Sequence, residues 1–172
     1  MDLLEIIKGR RSIREYSPDG EVPNEEVNRL LEAAIWAPSA GNVQPWHFLV
    51  VRDEAVRSEL ASAAFEQAFV REVPVVIVVC TDLEAAYRGY QDRGRDLYCV
   101  QDTAAAIQNI LLTAHADGYA ACWVGAFSEE SASKALKLPK RLRPVAMIPV
   151  GLPAESPEPR PRKEIKQVAS QM

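Results

Sequence analysis

The sequence predicts an α/β or α+β sandwich built around a central sheet. One basis is the run from Pro74 to Cys80, which is β-branched and has no polar alternation, as expected of a strand covered on both faces. The other is a loose alternation of strand and helix patterns along the whole chain, without an internal repeat or a linker. At 172 residues, the chain is expected to form one domain, residues 1–172.

Local signals place the first two helices. Asp2 and Glu5 form a capping-box variant that opens a short helix, which Gly9 can close. A second helix is predicted after Pro23, with Asn24 as its N-cap. Its apolar residues recur with helical spacing and form one face: Val27, Leu30, Leu31, Ala34 and Ile35.

The later elements follow from caps, turns and apolar runs. Further strands are predicted at Trp46 to Val51, Ala120 to Val124 and Arg143 to Gly151. Asp53 caps a helix to about Phe65, and Ser128 starts a short one. Glu84 to Asp96 is predicted as a loop or short surface helix. Cys99 to His115 forms a long helix that is apolar nearly all round, so it lies centrally or packs on a second subunit.

Composition excludes several classes of protein. The net charge of -4 argues against a general nucleic-acid binder. No apolar run reaches the roughly 20 residues that cross a bilayer, and no signal peptide is expected at the amino terminus. The odd, widely spaced Cys80, Cys99 and Cys122 suit buried thiols in a reducing cytoplasm better than disulfides or a metal site.

A phosphate-binding segment is predicted near the amino terminus. The glycine-rich nucleotide motifs are missing, so a nucleotide-like ligand must be held by side chains. Arg10, Arg11 and Arg14 surround Ser12, and their guanidiniums can form charge-assisted, bidentate hydrogen bonds with a phosphate. The alternative is that Arg10 and Arg11 only complement the carboxyl-terminal end of the first helix.

A second pair of arginines lies in the proline-rich tail. Prolines stiffen an extended backbone, so Arg160 and Arg162 can point at one target. The alternative is a solvated basic terminus, and for this segment alone that alternative is favoured.

Two further segments are suited to a polar, flat ligand. The loop from Pro38 to Trp46 is dense in small polar residues, and Asn42 and Gln44 offer amides for hydroxyls or a ring carbonyl. Gly125 follows a strand and permits close backbone approach to a heteroaromatic ring. The alternatives are a plain helix-to-strand connection and a plain strand end.

Together these segments resemble the nitroreductase family over essentially the whole chain. The resemblance rests on R-R-S-x-R-x-Y from Arg10, on A-P-S-x-x-N-x-Q-P-W from Ala37, and on Q-D-T-A-A-A-I-Q-N-I from Gln101. It continues through C-W-V-G-A-F from Cys122 to the I-P-V-G-x-P…P-R-P-R finish. The implied fold is α+β, with a central mixed sheet flanked by helices in an intertwined homodimer.

The resemblance implies one FMN at each of two subunit interfaces. The phosphate and the nearby ribityl chain would be held by Arg10, Ser12, Arg14, Arg160 and Arg162. Arg11 would lie along the ribityl chain and the ring edge. Pro38, Ser39, Ala40 and Asn42 would arrive from the other subunit, supported by Gln44. Gln67 would face the pyrimidine edge, while Val124, Gly125 and Ala126 would line the ring, with the N–H near Gly125 directed at N5. The apolar helix from Cys99 would form the dimer contact.

The implied activity is a ping-pong oxidoreduction. NADH or NADPH would give a hydride to flavin N5, and a small acceptor such as a nitroaromatic or quinone would take its place. No side-chain acid or base is expected, since His47 and His115 are interpreted as structural. Tyr87, Tyr90 and Tyr98 are candidates for a lid. Alternatives are reductive dehalogenation, flavin fragmentation, flavin binding without turnover, or a phosphate-ligand module that never binds flavin.

Overall fold

The computed structural model describes residues 2–172, which contain a four-stranded sheet. Its strands are Trp46–Val51 (β1), Val75–Asp82 (β2), Ala120–Ala121 (β3) and Leu142–Gly151 (β4). Their spatial order is β1-β2-β4-β3, and every neighbouring pair is antiparallel. The expected mixed sheet is therefore wrong for the described chain. Val51 at the end of β1 lies beside Val76 near the start of β2. The connection between these strands, residues 52–74, therefore leaves and re-enters the sheet at the same end of the strands.

Helices connect and cover these strands. They are Leu3–Gly9 (α1), Asn24–Ile35 (α2), Glu54–Ala63 (α3), Phe69–Glu72 (α4), Leu83–Arg93 (α5), Cys99–Ala116 (α6) and Glu129–Ala135 (α7). A π-helix at Gly94–Tyr98 leads into α6, and 3-10 turns lie at Ala40–Asn42 and Ile165–Gln167. Among residues 2–172, no helix combines the length and apolar character that a bilayer crossing needs.

Both faces of the sheet are buried, as the apolar run in β2 predicted. Val75, Ile77 and Val79 face a core shared with α2 and α6. Val76 and Val78 face a second core shared with α3, α4 and α7. The helices therefore cover both faces of one sheet, and the predicted sandwich is confirmed.

Helix α2 begins one residue differently from the prediction. It starts at Asn24 itself, and Pro23 occupies the capping position. The Asn24 side chain is not free to cap, because its Oδ1 accepts a hydrogen bond from Arg52 Nη2 at 3.0 Å. Ile35, predicted on the apolar face, is 51% exposed at the end of the helix, and the adjacent Trp36 is 80% exposed.

Backbone conformation accounts for three other differences. Helix α3 stops before Phe65 because Phe65 and Glu66 both adopt left-handed angles, with φ of 58° and 60°. The segment predicted as a loop or short surface helix is α5, kinked at Tyr90 and Gln91. The strand predicted to reach Val124 ends earlier, and Val124 returns to the sheet as an isolated bridge.

Candidate functional site

Residues from the two ends of the chain line one cavity of about 660 Å³. The amino-terminal side contributes Ile7, Lys8, Arg10, Arg11, Ser12 and Arg14. The tail contributes Pro157, Glu158, Pro159, Arg160 and Arg162. The lining contains six cationic side chains and one acidic side chain, that of Glu158. The structure therefore joins the two predicted arginine groups inside one chain.

Backbone pairing brings the tail to this place. The Ser17 N–H donates to the Leu152 carbonyl at 2.9 Å, and the Ala154 N–H donates to the Glu15 carbonyl at 2.9 Å. The Glu155 carboxylate also accepts from the Glu15 N–H at 3.2 Å. Because these bonds lie just before the proline-rich segment, they set the direction in which the tail arginines leave the sheet.

The arginines of the cavity differ in what they already bind. Arg11 Nη1 donates to the Lys8 carbonyl at 2.6 Å and to the Gly9 carbonyl at 3.0 Å, at the end of α1. For Arg11, the helix-end interpretation therefore holds in this structure. Arg162 Nη1 donates to the Arg160 carbonyl at 3.0 Å, a contact that an anion can replace.

His115 lies behind the arginine segment, at the carboxyl-terminal end of α6. A β-carbon built on Gly9 would lie 2.6 Å from His115 Nε2, so a larger residue at position 9 would have to displace the imidazole. Burial lowers the pKa of the imidazole, and the charges of Arg10 and Arg11 lower it further. His115 therefore lies next to the cavity, and the pKa of its imidazole depends on the charges of the cavity arginines.

A short ribbon, formed by residues 12–14 beside residues 121–125, leads from the arginine cavity to the Gly125 turn. The Ile13 N–H donates to the Ala121 carbonyl at 3.3 Å. Burial raises the pKa of the adjacent Cys122 thiol, while Arg14 and the Ser12 hydroxyl oppose that rise. From Cys122 to Gly125 is three residues, about 10 Å of extended chain.

The residues predicted to line a ring lie at the end of this ribbon. Val124 is 3% exposed, and its backbone exchanges hydrogen bonds with Met147 at 2.9 and 3.0 Å, so its side chain belongs to the core. Gly125 and Ala126 are exposed. Within residues 2–172, the Gly125 N–H donates to no backbone carbonyl. Gln67 Nε2 donates to the Ala126 carbonyl at 3.1 Å, so these two residues are neighbours.

The Pro-Ser loop (residues 38–44) is held by its own hydrogen bonds and by α6. Ser39 Oγ accepts from the Gln44 N–H at 3.1 Å. Asp102 Oδ1, in α6, accepts from the Ala40 N–H at 3.0 Å. Asp102 is only 7% exposed, and burial raises the pKa of its carboxyl, against the opposing hydrogen bond from Ala40. Gly41 takes a φ of 54° against Tyr90 of α5.

The loop and the arginine cavity lie at opposite ends of α6. The loop contacts Asp102 and the arginine segment contacts His115, which are thirteen residues apart, or about 20 Å along a helix at 1.5 Å per residue. The structure therefore brings together the arginines, Ser12 and the ribbon to Gly125. It does not bring Pro38, Ser39, Ala40, Asn42 or Gln44 to them within one chain.

Three contributors were not predicted from the sequence. Asp102 was detectable as a lone carboxylate in a helix that is otherwise apolar nearly all round. His115 was assigned only a structural role, and its position near the arginines depends on a long-range contact. Glu155 gave no signal, since an acid in a polar tail resembles any solvated charge.

Comparisons with known proteins agree with this architecture. A model of the nitroreductase family matches residues 7–72 and 64–152. A relative from Methanothermobacter thermautotrophicus, provisionally named NADH dehydrogenase/NAD(P)H nitroreductase, is 40% identical over 161 residues, covering 91% of this chain and 80% of the relative. A Bacillus subtilis relative named FMN reductase (NADPH) is 27% identical, covering 92% of this chain and 69% of the relative.

A solved structure extends the likeness to the fold. The nitroreductase family protein of Streptococcus pneumoniae superposes with a TM-score of 0.91 at 25% identity, covering 99% of this chain and 100% of that chain. The described strands and helices thus form the predicted α+β, nitroreductase-like fold. With the family model spanning most of its length, the chain belongs to the nitroreductase family.

Proposed function

We propose that the protein is an FMN-dependent oxidoreductase that takes a hydride from NADH or NADPH and passes electrons to small acceptors such as nitroaromatics or quinones in a ping-pong cycle. The observation that carries this proposal is the cavity in which Arg10, Arg14, Arg160 and Arg162 converge beside Ser12. The family membership and the FMN reductase activity named for the Bacillus subtilis relative support the same cofactor.

The residues present suit the FMN phosphate. A phosphate dianion needs several cationic donors, and guanidiniums supply them in a planar, bidentate geometry. Arg14 comes from the amino-terminal segment, Arg162 comes from the tail, and Ser12 lines the same cavity. We assign the phosphate to these three residues, with Arg10 and Arg160 beside them.

The ribbon beyond Ser12 suits the rest of the cofactor. FMN, when bound, supplies a ring that accepts a hydride at N5 and gives its electrons to a second substrate. We assign the exposed Gly125 N–H as the donor toward N5 and Gln67 as the amide toward the pyrimidine edge. Fixed donors of this kind favour negative charge on the ring without any proton transfer by a side chain.

The separation of the loop from the arginine cavity supports a homodimer with FMN at the subunit interface. Because about 20 Å of α6 divides them, a site that uses both must take the loop from a second copy. Apolar surface for such a contact is present. Helix α1 has no buried residue, with Leu3 64% and Leu4 52% exposed, and Trp36 is 80% exposed immediately before the loop.

Other features support a small-molecule enzyme of the reducing cytoplasm. All three thiols are buried, as predicted: Cys80, Cys99 and Cys122.

Tyr90 packs edge-to-face on Tyr98 with centroids 5.3 Å apart, directly beside the Pro-Ser loop. These rings are the candidate cover over a substrate bound at the partner's site.

An anaerobic titration tests the proposal. We expect purified protein, as isolated or after addition of FMN, to show bound-flavin absorption that bleaches on addition of NADH or NADPH and returns when a quinone or nitroaromatic is added. Protein that takes up no FMN contradicts the cofactor assignment. Bound flavin that neither donor bleaches contradicts the enzyme and leaves a flavin-binding protein.

A further inference from the structure

The Glu155 side chain links the tail to the amino-terminal arginines. Its carboxylate accepts hydrogen bonds from the backbone N–H groups of Arg14 and Glu15, the second at 3.2 Å. Glu155 is half-buried, and it stands five residues before Arg160. One carboxylate thus joins the two chain segments whose arginines line the cavity, without itself being part of that lining.

The charge of Glu155 has the wrong sign for binding a phosphate directly. A carboxylate near the site repels the phosphate dianion and offsets part of the attraction of the arginines. Its contribution must therefore come from the backbone bonds, which are charge-assisted and stronger than neutral ones. They tie the Arg14 backbone to a tail that is exposed from residue 158 onward.

Backbone hydrogen bonds around Glu155 fix the start of the tail, so Glu155 can affect the placement of the residues that follow. The bonds of Ser17 with Leu152 and of Ala154 with Glu15 fix the start of the tail. Beyond Glu155, the tail carries three prolines up to residue 161: Pro157, Pro159 and Pro161. A stiff, proline-rich segment transmits the position of its base to its end, so a fixed Glu155 fixes Arg160 and Arg162 relative to Arg14.

We propose that Glu155 is a positioning residue for the split phosphate site. It holds the backbone at Arg14 against the base of the tail, so that arginines from both ends of the chain meet one phosphate. This inference rests on the proposed FMN function. We call the two hydrogen bonds from the Arg14 and Glu15 N–H groups to the Glu155 carboxylate the clasp. The clasp is present in the protein without cofactor and can be measured there.

Three variants separate positioning from charge. Glu155→Ala removes both the acceptor and the charge, and Glu155→Gln keeps an acceptor oxygen without the charge. Glu15→Ala is the matched control, because it removes an exposed carboxylate one residue from Arg14 and keeps both Glu15 backbone bonds. Circular dichroism checks that each variant remains folded.

The expected results differ in sign. We expect FMN Kd, measured by fluorescence quenching on apoprotein, to rise about tenfold in Glu155→Ala through loss of charge-assisted bonds. We expect Glu155→Gln and Glu15→Ala to bind FMN as tightly as the wild type or more tightly. Equal affinities in Glu155→Ala and wild type, or tighter binding by Glu155→Ala, overturn the proposal, since the carboxylate would then act by charge alone or not at all.

Hydrogen exchange gives a readout that needs no flavin. In apoprotein, we expect the amides of Arg14 and Glu15 to exchange faster in Glu155→Ala than in the wild type, with part of the protection regained in Glu155→Gln, whose neutral acceptor forms weaker bonds. If wild-type protein binds no FMN, the proposed function fails while this exchange pattern still supports the clasp. If wild-type protein binds FMN but exchange is unchanged in Glu155→Ala, the clasp fails alone.

Discussion

The two ends of α6 lie beside two different kinds of surface. At the carboxyl-terminal end, beside His115, the chain assembles a cavity from exposed cationic side chains and a stiff tail. At the amino-terminal end, the Pro-Ser loop offers backbone and short polar side chains, pinned by the buried Asp102 carboxylate. The carboxyl-terminal end offers a cationic cavity, and the amino-terminal end offers a loop whose backbone conformation is fixed.

The difference matters for the proposed site, which takes one half from each of two chains. Long arginine side chains lose much rotamer freedom when they order around a phosphate, so their cavity depends on the ligand to become rigid. The loop already takes left-handed angles at Gly41, Asn42 and Gln44, with φ of 54°, 58° and 52°. Its shape is set before any ligand arrives, which suits a surface that completes a site on a second copy.

The largest expected effect lies at the arginine end. Replacing Arg14 or Arg162 by Ala removes charged hydrogen bonds worth about 1.5–3 kcal/mol each, so FMN affinity should fall roughly tenfold to a hundredfold. Isothermal titration of apoprotein measures this. Arg29→Ala is the control, because Arg29 is paired with Asp117 at 2.6 Å and lies outside the cavity lining. Unchanged affinity in both cavity variants would mean that the phosphate assignment is wrong.

A second prediction concerns stability at the loop end. Asp102→Ala should lower the free energy of unfolding by about 1–3 kcal/mol, since it leaves the Ala40 N–H without its acceptor. Asp102→Asn retains an acceptor oxygen and should be at least as stable as the wild type at neutral pH. Denaturant unfolding of the three proteins measures both effects.

The pH dependence of the Asn variant follows from the carboxyl pKa. Burial raises the pKa of Asp102 above its ordinary value of 3.8, so the folded state holds this proton to higher pH than the unfolded state. Wild-type stability therefore falls as pH rises from the ordinary value through the raised one. The advantage of Asp102→Asn should appear over that interval and vanish below it. A pH-independent difference would contradict a buried, raised carboxyl.

The smallest expected effect is a change in His115 titration. Without a ligand, the pKa of His115 lies below its ordinary value because of burial and of Arg10 and Arg11. A bound phosphate offsets the arginine charges, so the pKa should rise when FMN binds. Nuclear magnetic resonance can follow the His115 imidazole in apoprotein and in the FMN complex. A His115 pKa that does not rise when FMN binds would place the phosphate elsewhere.

Much of the fold was predictable because local patterns determine it. Strand β1 was predicted with its observed bounds, and the buried run of β2 predicted a sheet covered on both faces. Antiparallel pairing was not predicted, since alternation of helix and strand patterns does not show on which end of the sheet a connection returns. The kink of α5 at Gln91, where φ is 53°, also has no signature in a residue type that rarely adopts it.

For the proposed site, the sequence indicated the parts and not their arrangement. Motifs singled out the arginines, the loop and the Gly125 turn as candidates, but sequence spacing does not reveal which end of α6 each part contacts. That arrangement depends on the contacts of Ala40 with Asp102 and of Gly9 with His115, each more than 60 residues apart in sequence. Val124 was assigned to the ligand from its motif, whereas strand alternation turns its side chain into the core.

Mixed dimers test the central claim, that each site combines the arginine cavity of one chain with the Pro-Ser loop of another. Chains carrying Arg14→Ala and Arg162→Ala can be coexpressed with chains carrying Asn42→Ala and Gln44→Ala, and the mixed species isolated through two affinity tags. If the site is shared, one site of the mixed dimer carries all four changes and the other carries none, so we predict about one tightly bound FMN per dimer. If each site belongs to one chain, both sites stay defective, and the absence of tight FMN binding would contradict the account.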